Sequence, residues 1–63
     1  MPRDIVNAVE EIYLSGSVSL GKCHKRTLKR WEKAVNDYLE RDKCDWRVKA
    51  NEKDYSLSIV WEW

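Results

Sequence analysis

The hydrophobic period of this chain changes between Arg41 and Cys44, from 3.6 residues to two. Upstream, Leu28, Trp31, Val35, Tyr38 and Leu39 recur at i, i+3, i+4 and i+7, the spacing of one helix face. Downstream, Cys44, Trp46, Val48 and Ala50 alternate with Asp45, Arg47 and Lys49. Tyr55, Leu57, Ile59, Trp61 and Trp63 then alternate with Ser56, Ser58, Val60 and Glu62. Two alternating arms around the polar stretch 51–54 read as a β-hairpin. A hairpin alone is marginal in water, so a helix must cover its apolar face. In 63 residues there is room for one such arrangement and one small core.

A first helix is expected from Asp4 to Leu14. Ile5, Val9 and Ile12 recur at helical spacing, with Ala8 and Tyr13 widening the stripe. Pro2 suits a helix entry, Asp4 suits the positive end of the dipole, and Gly16 suits a left-handed stop. The stretch 15–21, SGSVSLG, reads as a connection, and the second helix as running from Cys23 to Arg41. Pairing Ala50 with Tyr55 sets Val48 against Leu57, Trp46 against Ile59, Cys44 against Trp61 and Lys43 against Glu62. That register leaves Val60 as the one apolar residue on the polar side. The expected fold is thus α+β in the order α-α-β-β, two helices packed on one face of a two-stranded antiparallel hairpin. Residues 1–63 form a single small domain.

Composition bounds the function. A domain of this size buries only about 60% of the surface its unfolded chain exposes. Four Trp and three Tyr, with no Phe, supply large buried areas. No apolar run approaches the ~20 residues of a membrane span, and charges interrupt the apolar pattern of MPRDIVNAVEE, so neither a membrane anchor nor a signal peptide is read. A cytoplasmic protein is expected. Chemistry-bearing residues are few. The single His, His24, projects to the apolar side of the second helix and has no partner at a spacing that makes a nucleophile–base pair. Cys23 opens that helix and Cys44 follows it, on the order of 30 Å apart. This is too far for a disulfide and it breaks up the one zinc set the sequence offers. No enzymatic activity, cofactor or metal is expected.

What remains is charge. Lys22, Lys25, Arg26, Lys29, Arg30 and Lys33 lie in one short run of a chain whose formal net charge is only +1. At about 100° per residue they project within an arc of roughly 140°, opposite the apolar stripe. Cations at a helix start oppose the dipole, and each costs a few tenths of a kcal/mol at an exposed site. A chain shaped only for stability tends to place them at the other end, so the face reads as a partner-binding surface. The bland alternative is a solvated face, partly paired as Lys33 to Asp37. A second candidate surface is the hairpin with its terminal WEW. Trp63 is expected to be incompletely covered, the bland alternative being that Trp61 and Trp63 together close the open end of the core, and strand 55–63 to offer a long edge that could pair with its own twin or with a partner strand.

LGKCHKRTLKRW, Leu20 to Trp31, resembles the turn and recognition helix of helix-turn-helix proteins. The resemblance implies that Lys22, Lys25, Arg26, Lys29 and Arg30 face a DNA groove and its phosphates, with the hairpin as the wing of a winged helix. It also implies a middle helix that would include Ser15, Gly16 and Ser17. In style, a small single-domain chain of this kind resembles the accessory proteins with which phages modulate host machinery. The balanced total charge favours contact with an acidic protein surface, since dedicated nucleic-acid domains are strongly basic. The expected function is a non-enzymatic binding protein that inhibits or modulates a macromolecular partner. A degenerate winged-helix DNA regulator is the alternative.

Overall fold

The computed structural model describes residues 3–61. It contains helix α1 (Ile5–Ser15), strand β1 (Ser17–Ser19), helix α2 (Lys25–Arg41) and strands β2 (Trp46–Asn51) and β3 (Ser56–Trp61). The order is therefore α-β-α-β-β. The sheet has three antiparallel strands in the order β1-β3-β2, not the two expected. The proposed roles of Pro2, Glu62 and Trp63 lie outside the described residues.

Local chemistry sets each boundary. The Asp4 side chain caps α1 by accepting from the Asn7 N–H at 2.9 Å. Gly16 ends it at φ 85°, its N–H donating to the Ile12 carbonyl at 2.7 Å. The Gly16 carbonyl then accepts from the Ile59 N–H at 2.9 Å, so one residue stops the helix and begins the sheet. In β1, Val18 is buried while Ser17 and Ser19 face solvent, and Leu20 beyond it is buried again. This is a short period-two pattern inside a stretch read as a connection. Gly21, at φ 71°, turns the chain, so α2 begins at Lys25 and not at Cys23. At the other end of α2, Lys43 adopts φ 56°. Its N–H reaches the Glu40 carbonyl at 3.1 Å, and the Cys44 N–H reaches Leu39 at 2.9 Å. These two bonds form a Schellman stop without glycine, and they are the physical cause of the change in period.

The hairpin register differs from the expected one by two residues. Trp46 pairs with Trp61, Val48 with Ile59 and Ala50 with Leu57. The turn occupies residues 52–55, with Tyr55 at φ 51°. A shift of two keeps every side chain on its face. Val60 remains on the open face, opposite Arg47. Lys43 precedes the strand and Cys44 pairs with nothing in the ladder.

Both helices cover one side of the sheet. The core draws on every element: Ala8, Ile12, Val18, Leu20, Leu28, Val35, Leu39, Trp46, Val48 and Leu57. No polar residue is buried among those described. Trp31, expected in the core, is half-buried at its margin. Strand β3, expected at the edge, is central. The outer edge of β2 is closed by α2 itself. The Asn36 side chain accepts from the Val48 N–H at 2.8 Å and donates to the Val48 carbonyl at 3.1 Å. Glu32 accepts from the Ala50 N–H at 2.6 Å.

Three substitutions test these positions. Leu28→Ala should cost about 2–5 kcal/mol, a large part of the roughly 3–9 kcal/mol such a domain holds. Trp31→Ala, at the margin, should cost about 1–3 kcal/mol and keep a cooperative melt. A larger loss at Trp31 than at Leu28 in thermal denaturation would refute the placement. Asn36→Ala should cost about 1–3 kcal/mol by leaving the Val48 backbone unpaired. Amide exchange at Val48 should rise selectively, and unchanged protection there would show that water replaces the clamp at no cost.

Candidate functional site

The charged run meets solvent around the start of α2. Lys25, Arg26, Lys29, Arg30 and Lys33 are all exposed, turned away from buried Leu28, Val35 and Leu39. Lys22 is exposed in the connection just before the helix. The structure thus brings six of the seven expected binding residues to one region, and Trp63 lies outside the described residues. Two of the six touch carboxylates. Lys25 Nζ lies 3.8 Å from Glu52 at the hairpin tip, and Lys29 Nζ lies 4.0 Å from Glu32. Pairs this exposed contribute about 0–1 kcal/mol. Among the described residues, Lys22, Arg26, Arg30 and Lys33 have no carboxylate within 4.0 Å, so the expected pairing of Lys33 with Asp37 does not form.

The first turn of α2 is unusually bare. His24 occupies the capping position with φ −69° and ψ 151°, but its side chain caps nothing. It is exposed and precedes the helix, whereas the sequence projection had set it on the apolar side. The Leu28 N–H bonds the His24 carbonyl at 3.0 Å as an ordinary helical bond. The N–H groups before it, at Lys25, Arg26 and Thr27, receive no side-chain cap, and no acidic residue lies in the first turn. His24, Arg26, Thr27 and Arg30 line an open groove of about 500 Å³ there. Free helix-start donors beside two guanidinium groups form an environment that favours carboxylate or phosphate oxygens. Charge counting did not single out Thr27. Its signal was its place in the first turn, legible once the helix start is known.

The Leu20–Gly21 turn of the helix-turn-helix resemblance falls between β1 and α2. The implied middle helix is absent among the described residues: Ser15 ends α1, Gly16 is its stop, and Ser17 begins β1. The hairpin does follow the basic helix, with its tip beside the helix start, as the Lys25–Glu52 contact fixes.

At the far end of α2 the surroundings change sign. The Asp42 carboxylate, one turn beyond Tyr38, raises that phenol above its ordinary value, with burial and a hydrogen bond to Asp42 adding to the rise. Cys44 and Glu10 contribute further in the same direction. Cys23 and Cys44 are both free thiols, half-buried against the core. Trp61, expected to close the core, is 51% exposed. Among the described residues no group of three His, Cys, Asp or Glu side chains is placed to hold a metal ion, and no helix is long and apolar enough to cross a membrane.

Comparison with protein-family models, curated proteins and solved structures finds no match for this chain.

The bare first turn makes a test possible at one residue. His24→Asp supplies a capping carboxylate and should stabilise the domain by about 0.5–2 kcal/mol. It should also weaken any anionic ligand held there. A melting temperature that does not rise would mean that His24 is not the capping position.

Proposed function

We propose that this protein is a small non-enzymatic binding module that modulates a macromolecular partner by laying the basic face of α2 on an acidic protein surface. The observation that carries this reading is the bare, positively charged start of α2. Five exposed cations on the helix and Lys22 before it surround a first turn with no side-chain cap. For the isolated domain that arrangement is unfavourable on two counts, because the dipole and the orphan N–H donors both prefer anions there. A partner carboxylate supplies what the chain itself withholds. On this reading Arg26 and Arg30 give forked, bidentate contacts, and Lys22, Lys25, Lys29 and Lys33 give a broader attractive field.

Nucleic acid is the second reading, favoured by the hairpin tip standing beside the start of the basic helix, where a winged helix would carry its wing. Against it stand Glu52 and Asp54, exposed at that same tip, and the net charge of +1. A phosphate backbone approaching helix and hairpin together meets both signs, whereas an acidic protein patch can be confined to the helix.

Fluorescence anisotropy separates the two readings. The probes are a labelled acidic peptide bearing aromatic residues, a mixed-sequence duplex and a single strand, each at low and physiological salt. The expected result is peptide binding that the Lys25, Arg26, Lys29 and Arg30 to Glu variant loses while keeping its melting transition. Duplex binding that is tighter than peptide binding, with a log–log salt slope near −0.9 per neutralised phosphate, would put nucleic acid in its place. Binding of the peptide by the charge-reversed variant would remove the basic face from the mechanism.

A further inference from the structure

Some 25 Å of helix separates the start of α2 from its end, taking 17 residues at about 1.5 Å each. At that far end lies a different kind of surface. A depression of about 340 Å³ opens between the last turns of α1 and the beginning of β2. Val9, Tyr13, Leu14, Cys44 and Trp46 line it together with Glu10. Tyr13 is 68% and Leu14 81% exposed, high values for large apolar side chains in so small a domain. The Tyr13 ring stands 6.4 Å from that of Trp46, tilted by 35°. Trp46 is itself buried, so it forms a fixed floor against which Tyr13 is the outer wall.

Charges of both signs stand near this depression, but the Arg47 guanidinium is engaged by backbone, donating to the Cys44 and Trp46 carbonyls at 2.7 Å each. Glu10 is part of its lining. Glu10 and Asp42 both raise the neighbouring Tyr38 phenol, so the two carboxylates lie at the same end of the helix pair. Aromatic faces attract cations, and a nearby carboxylate strengthens the attraction while discouraging an anionic or purely aliphatic occupant.

We propose that this depression is a second binding site, which receives a cationic side chain, arginine or lysine, presented by a protein partner. Tyr13 and Trp46 supply the aromatic walls, Val9 and Leu14 hold the aliphatic stem, and Glu10 meets the charged head. The site is independent of the basic face of α2. It has the opposite charge preference and lies at the other end of the same helix, so a partner spanning both would present acidic and basic groups about 25 Å apart.

The test uses the full chain and a blocked pentapeptide with one arginine between two leucines, followed by two-dimensional amide NMR. A citrulline peptide of the same shape is the neutral control. Saturable shifts at Val9, Tyr13, Cys44 and Trp46, stronger for arginine than for citrulline, are expected. Glu10→Gln should weaken the arginine peptide by about two- to fivefold and leave the citrulline peptide unchanged. Tyr13→Ala should weaken both peptides. Each variant's melting curve is recorded beside it, so that a loss of fold is not read as a loss of binding. Equal binding of arginine and citrulline would overturn the charge preference and leave an apolar patch. Shifts at these residues that grow with protein concentration alone, with larger species in sedimentation, would overturn the partner and assign the site to a second copy's basic helix.

Discussion

The contact between Asn36 and Val48 decides how the second helix sits. One amide side chain answers both the N–H and the carbonyl of a single residue on the outer edge of β2, and Glu32, one turn earlier, answers the Ala50 N–H. Two consequences follow from the same three bonds. The Val48 N–H and carbonyl and the Ala50 N–H are thereby taken and not offered to another strand, which is how small sheets avoid association. The helix is also fixed in rotation about its own axis. With Glu32 and Asn36 turned to the strand and Leu28, Val35 and Leu39 turned to the core, Arg26, Arg30 and Lys33 have only solvent to face. The basic face is therefore built by the packing as well as by composition.

That face runs against the needs of the helix that carries it. Cations fill the first half of α2 and its capping position makes no side-chain bond, while Asp37, Glu40 and Asp42 lie toward the other end with Arg41 and Lys43 among them. A helix selected for its own stability would reverse the order. The deficit is tolerable because the stability of α2 comes from its amphipathic stripe and from the clamp on β2, not from its ends. A rigid scaffold holding locally unfavourable groups is the general condition under which a surface is ready to bind without rearranging.

Both helices and both hairpin strands were legible because each obeys one period over two or more turns or several alternations. Strand β1 was not, although Val18 and Leu20 alternate with Ser17 and Ser19. So short a stretch between Gly16 and Gly21 carries no local claim to extended structure. The strand exists only because the first half of β3 reaches it from far along the chain, as in the pair Val18 and Leu57. That non-local pairing puts β3, expected to be an edge, at the centre of the sheet. Register was off by two for a related reason: alternation fixes which face a residue takes, but not how far the strand has slid. The turn decided the slide, through Tyr55 in a left-handed conformation that its side chain does not advertise. The end of α2 at Arg41 was legible from the change in period, although Lys43, which makes the stop, does a glycine's work there. Of the candidate sites, the basic run was visible as charge. The depression at Tyr13 and Trp46 was not, because it depends on α1 ending beside a strand that begins only after α2.

The two ends of α2 are thereby tied to each other. Any change that rotates the helix, such as loosening the Asn36 clamp, moves the basic face at one end and Tyr38 and Asp42 at the other together, since both ride on one rigid element.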